Sequence, residues 1–130
     1  MGSDIHLHIE KKNKEGRWEA FPIDELLLPD DRDYEVFAFL AGVRGYSKWG
    51  KIQDRGFPGD SEVNQADLGD HSFTHATLYE LIHAPWKKAN LEESYFCIFC
   101  RYVLPRFVDK GWCVSDDDKK KVRILIGFDS

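Results

Sequence analysis

No apolar run in the chain approaches the ~18 residues needed to cross a bilayer. The opening Met1-Gly2-Ser3-Asp4 also lacks the cationic and apolar stretches of a secretory signal. The expectation is a soluble cytoplasmic protein with no membrane partner. Gly2 does not make a myristoyl site, because position 6 is His6 rather than Ser or Thr and no polybasic segment follows. Positive charge is short as well: 18 Lys and Arg stand against 23 Asp and Glu, a formal charge of −5. That balance removes the driving force for coating nucleic acid along its length. The three cysteines are an odd and small number for a disulfide framework. The Walker loop, GxSxG, GxGxxG and HExxH are all missing, and serine hydrolases and the common nucleotide folds go with them.

What is present suffices for one domain spanning 1–130. The 130 residues are 42% hydrophobic and 14% aromatic, and a chain of this length buries about two-thirds of its surface on folding. Ile5, Leu7 and Ile9 alternate with Asp4, His6, His8 and Glu10, the pattern of a half-buried strand. A polar stretch ending in Gly16 leads to a second alternation at Arg17 to Phe21, which predicts a hairpin turning near Asn13 to Gly16. Leu26-Leu27-Leu28 before Pro29 is too short to assign.

Val36, Phe37, Leu40 and Val43 predict a helix from about Asp33 to Val43, closed by Arg44-Gly45. From Gly45 to Phe73 no period survives, and five glycines with Pro58 predict a long packed loop. Thr77 to Glu80 has capping-box spacing and starts a short helix that Pro85 ends. Leu91 to Val103 carries a wide apolar stripe, predicting a buried helix that ends near Pro105. Asp116 to Lys121 reads as a solvated turn, and Val122 to Asp129 as a central strand. Together these predict an α+β fold: a small antiparallel sheet, made from the N-terminal hairpin and the C-terminal strand, with two or three helices on one face.

The polar side of the first strand carries the sharpest chemistry. Asp4, His6, His8 and Glu10 stand about 6.7 Å apart in sequence pairs, and imidazoles with carboxylates suit a divalent metal such as Zn, Mn, Fe or Ni. His71 lies where the long loop meets a helix start. If that loop folds over the strand, His6, His8 and His71 with a carboxylate form a ligand set. Arg44 and Arg55 flank the same loop, and Arg55 sits among the glycines of Arg55-Gly56-Phe57-Pro58-Gly59, so both are candidates for phosphate or carboxylate. Cys97 and Cys100 fall inside an apolar helical stripe and are expected in the core. The alternative for them is a zinc site with Cys113 and His83.

The order of these motifs resembles a family of small uncharacterised proteins of tailed bacteriophages and prophages. The resemblance rests on Asp4-Ile5-His6 with Glu10, Gly16-Arg17-Trp18, Arg32-Asp33-Tyr34 leading into Leu40-Ala41-Gly42-Val43-Arg44, Arg55-Gly56-Phe57-Pro58, His71-Ser72, and the terminal Val122-Arg123 to Phe128-Asp129. His8, Cys97 and Cys100 stand outside the pattern, so it shifts weight to Asp4, His6, Glu10, His71, Arg44 and Arg55. It implies an accessory phage protein. The leading expectation is an Asp/His/Arg site that binds or hydrolyses a phosphate-bearing ligand such as a nucleotide, with Asp4, His6, Glu10 and His71 handling protons and the arginines handling charge. The rival expectation is a non-catalytic acidic inhibitor that docks on a host defence protein, as anti-CRISPR-like proteins do.

Overall fold

The computed structural model of the chain describes residues 2–108 and 115–129. Four strands form one antiparallel sheet: β1 (Asp4–Lys12), β2 (Trp18–Ala20), β3 (His71–Thr77) and β4 (Val122–Asp129), in the order β2-β1-β4-β3. With the helices this is the α+β fold that the sequence predicts. The hairpin turns where expected: Asn13 Oδ1 accepts the N–H groups of Glu15 and Arg17 at 2.9 Å each, and Gly16 takes φ +81°, which a side chain would resist. β1 and β4 run in register from Asp4 opposite Asp129 to Lys11 opposite Val122. The central placement of β4 explains its nearly unbroken apolar sequence, since both of its faces are covered.

β3 is a correction. Its residues begin inside the segment that the glycines marked as loop and continue up to the predicted helix start. His71 to Thr77 carries too few apolar residues for a period-2 pattern to show. The strand is also irregular, slipping register between His71 and Thr74 with Ser72 at φ +57°. The true irregular segment therefore ends before His71, and a 3-10 turn at Gln65–Leu68 interrupts it.

Helix α1 (Tyr34–Ala41) starts behind Asp33, whose side chain accepts the Val36 N–H, and stops at Gly42 with φ +72°, slightly earlier than Val43. Helix α2 (Leu78–Ile82) carries the expected capping box between Thr77 and Glu80. The third predicted helix is shifted and broken. It starts behind Ser94 as α3 (Tyr95–Ile98), widens into a π-helical turn at Phe99–Val103, and continues as α4 (Leu104–Val108) through Pro105 instead of ending there. Proline has no N–H and crowds the carbonyl four residues back, and a widened turn just before it relieves both problems. A one-turn helix α5 (Asp116–Lys119), capped by Ser115, replaces the simple turn predicted for the charge run.

The helices cover one face of the sheet. Ile5, Leu7, Ile9, Ile124, Ile126 and Phe128 point into a common core with Phe37 and Leu40 of α1, Leu78 and Leu81 of α2, and Phe96 and Leu104 further on. Phe37 meets Phe128 edge-on at 5.1 Å, and Phe39 stacks between Trp49 and Trp86 at 5.4 and 4.6 Å. Each such side chain contributes roughly 1.5–3 kcal/mol by leaving water. Cys97 and Cys100 are buried here as free thiols, and burial raises the pKa of both. Cys113, the third thiol of the zinc alternative, lies outside the described residues. The opposite, outer face of the sheet is roofed by the loop: a Cβ added at Gly127 would run into the Leu68 backbone carbonyl, and one at Gly69 into the Phe128 carbonyl.

Candidate functional site

Asp4, His6, His8 and Glu10 do share the outer face of β1, but each is engaged differently. Arg32 grips Asp4 with two hydrogen bonds, Nε to Oδ1 at 2.7 Å and Nη2 to Oδ2 at 3.2 Å. This guanidinium holds the Asp4 carboxyl below its usual range. His6 Nε2 lies 2.6 Å from Asp129 Oδ2, so the last residue of β4 orients the ring and leaves Nδ1 as its other polar atom. His8 borders a cleft on the edge of β1.

Glu10 is withdrawn from water entirely, in contrast to the outward position that its alternation predicts. Arg123 Nε donates to its Oε1 at 2.8 Å, and the Ser61 hydroxyl donates to Oε2 at 2.8 Å. The Arg123 guanidinium also reaches Asp60 at 3.0 Å and lies 4.1 Å from the Trp18 ring centroid. Both Glu10 oxygens are therefore committed to a buried cluster that ties the loop at Asp60 and Ser61 to the sheet. This removes Glu10 from the predicted proton-handling set, because a general base needs a reachable lone pair.

His71 does not join His6 and His8. It pairs with Phe128, whose side chain enters the helical core, and its ring stacks on Phe128 at 6.3 Å; its Nδ1 lies 2.9 Å from Ser72 Oγ. His6 stands opposite Gly127 instead, so the pleat sends the two imidazoles to different sides of the sheet. Among the described residues, no group of three His, Cys, Asp or Glu side chains converges on one point. The predicted metal trio of His6, His8 and His71 is thus not assembled among the described residues.

The two predicted anion-binding arginines are also separated. Arg55 is clamped to Glu80 through Nη1 to Oε1 at 2.7 Å and Nη2 to Oε2 at 2.5 Å, and it donates to the His75 carbonyl at 3.2 Å. The Arg55 pair lowers the Glu80 pKa to about 2. Arg44 lies near the start of β1, where its Nε donates to Ser3 Oγ at 3.1 Å and its guanidinium sits 5.3 Å from the Tyr34 ring centroid. Asp4, His6, Asp129 and the Arg44–Tyr34 pair thus gather where β1 begins and β4 ends, while Glu10 sits towards the other end of β1.

Two clefts of about 490 Å³ flank this end of the sheet, and no residue lines both. The first follows the edge of β1 and is bordered by His6 and His8. The second follows α1 and is lined by Tyr34, Glu35, Arg44, Tyr46, Lys48 and Asn90 among others. Arg44 and Asn90 both hold left-handed backbone, φ +64° and +58°, and they account for two of the three described non-glycine residues that do so. Such conformations cost energy and concentrate at binding sites. His6 and Arg44 therefore line different clefts.

Tyr46, Lys48 and Asn90 were missed by sequence reasoning. Tyr46 and Lys48 follow a glycine in a segment without periodicity, and Asn90, three residues before Glu93 and next to an apolar stripe, has the spacing of an ordinary helix cap. Asn in a Lys-Lys-Ala-Asn stretch is a residue that tolerates left-handed backbone, and that was the available signal. No protein-family model matches the chain, and no curated protein or solved structure matches it at a significant level.

Proposed function

We propose that the protein binds a phosphate-bearing ligand of the nucleotide class in the cleft along α1, holding it without chemical change. The observation that carries this reading is the lining itself: Arg44 and Lys48 supply positive charge beside Tyr46, which is 96% exposed, and Tyr34. A guanidinium and an ammonium suit phosphoryl oxygens, and an open tyrosine face suits a base. The volume of about 490 Å³ falls in the range of small-molecule sites. Glu35 is the one carboxylate among the lining residues, which makes this cleft cationic on a protein of net charge −5. His6, Asp4 and His71 of the predicted proton-handling set do not line this cleft, so the arginine lacks the partners that the predicted hydrolysis assigns to it, and a sequestering role fits better. An accessory phage protein, as the resemblance implies, would use such a site to withdraw a nucleotide from a host pathway.

The test is calorimetric titration with nucleoside mono-, di- and triphosphates at low salt. Binding should weaken about tenfold or more in Arg44→Ala and in Lys48→Ala, and should weaken further as salt rises. Arg55→Ala should leave affinity unchanged, because that side chain is clamped to Glu80. The reading fails if no nucleotide binds, or if Arg55→Ala abolishes binding while Arg44→Ala does not.

A further inference from the structure

The edge of β1 is only partly covered. β2 pairs with Glu10 to Lys12, and the Phe21 N–H then donates to the Ile9 carbonyl at 2.8 Å. Pro22 follows, with no N–H to give, and the chain leaves the strand. Backbone polarity alternates along β1. The Lys12 N–H points to Lys121 of the β4 side, whereas the Ile9 carbonyl points to the β2 side. The peptide groups of Ile5 and Leu7 therefore point the same way as those of Ile9, and β2 does not extend far enough to meet them. No other described backbone segment pairs with them. They open into the first cleft, whose far wall is built from Phe21, Ile23 and Leu28.

We propose that this cleft receives an extended, cationic peptide segment of a partner protein, which adds to the sheet as a strand beside Ile5 and Leu7. Free donors and acceptors at the strand repeat are a template for backbone pairing, and the apolar wall can take alternate side chains. Charge sets the occupant. Glu25, Asp30 and Asp67 are exposed around the cleft, and no Lys or Arg lines it. A segment carrying Lys or Arg at alternate positions meets these carboxylates. A second copy of this chain is disfavoured because its own edge brings the same three carboxylates and the same overhanging segment at 22–30. The site is independent of the α1 cleft and shares no residue with it.

The probes are two capped hexapeptides, one alternating Val with Lys and one alternating Val with Glu, titrated into the intact protein and followed by fluorescence anisotropy and amide hydrogen exchange. The Lys peptide should bind about tenfold or more tightly than the Glu peptide. On binding, the Ile5 and Leu7 amides should gain protection while those of β3, at the other edge, stay unchanged. The double variant Glu25→Lys, Asp30→Lys should reverse the preference, with its thermal transition confirming that it is folded. The proposal is overturned by failure of the Lys peptide to bind, by equal binding of both peptides, by protection that appears on β3, or by protection at Ile5 and Leu7 arising from dimerisation without peptide. Loss of nucleotide binding in Arg44→Ala has no bearing on any of these readouts, so the two sites fail separately.

Discussion

Glu10 and Arg123 stand opposite each other as register partners on β1 and β4, 2.7 Å apart, with side-chain exposures of 0% and 6%. The pair is surrounded by Ser61, Asp60 and the Trp18 ring, so it joins the loop, the hairpin and the two central strands. Its position explains why a carboxylate with the right alternation for solvent is instead the most sequestered polar group of the outer face.

Removing one partner takes the main counter-charge from the other, leaving Glu10 with Ser61 alone or Arg123 with the exposed Asp60 alone, which costs up to about 3–5 kcal/mol. Arg123→Met and Glu10→Gln should each lower stability by roughly that amount in urea denaturation. The double variant Glu10→Leu, Arg123→Met should recover most of the loss, because a matched apolar pair carries no desolvation cost. A double variant as unstable as the worse single one would show that the pair acts through its hydrogen bonds to Ser61 and Asp60.

The roof over the outer face makes its own prediction. Gly127 sits under the Leu68 carbonyl with no room for a methyl group, whereas Gly59 has open space around it. Gly127→Ala should destabilise by about 2–3 kcal/mol through displacement of the loop. Gly59→Ala should change stability by less than about 0.5 kcal/mol. Thermal denaturation of the two variants checks both, and similar values would mean that the loop yields freely.

The parts of the fold that were legible in the sequence are those with a period or a cap: β1, the hairpin at Asn13 to Gly16, α1 behind Asp33, the Thr77–Glu80 box and β4. β3 was hidden because His71-Ser72-Phe73-Thr74 shows no alternating apolar side and the strand slips register within it. The helix after Ser94 was misjudged at both ends, since a proline normally stops a helix and here a π-turn accommodates it. At the candidate site, the sequence placed Asp4 and His6 on one strand face and Arg44 at the end of α1, and packing brings that arginine to the start of β1 beside Ser3. It could not show that His71 faces away from His6, because that depends on the pairing of β3 with β4, nor that Arg55 and Glu10 are consumed by Glu80 and Arg123. Partners more than about 20 residues apart in a chain are set by tertiary packing and leave no local pattern.

His75 pairs with Leu125 on the outer face, and its pKa is lowered from 6.5 by burial, then by the nearby Arg123 and Arg55 charges. A folded-state pKa below the unfolded one means that the unfolded chain binds the extra proton more readily. Stability from this group is complete above about pH 6.5 and declines as pH falls below it. His75→Gln should flatten the stability profile between pH 7.5 and 5.5, measured by urea midpoint. A profile equally steep in the variant would assign the acid sensitivity to another histidine.

Arg55 and Glu80 give a second acid-sensitive window at lower pH. Glu80 titrates at about 2 in the folded protein against an ordinary 4.5, because the Arg55 guanidinium, with help from the Thr77 backbone N–H, favours its ionised form. The carboxyl is depressed, so the stability it contributes is present above pH 4.5 and fades as pH drops from 4.5 towards 2. Solvent screening at a partly exposed pair brings the contribution to about 1–2 kcal/mol. Arg55→Ala should therefore lower stability by that amount at pH 7 and by much less at pH 3, where the wild type has lost part of it. Because Glu80 also closes the capping box on Thr77, Glu80→Gln should cost less than Glu80→Ala: the amide still accepts the Thr77 N–H while the charge is gone. Circular dichroism melts of the three variants at both pH values decide the matter, and a loss in Arg55→Ala that is the same at pH 3 as at pH 7 would show that Arg55 acts by bonding the His75 carbonyl rather than by pairing with Glu80.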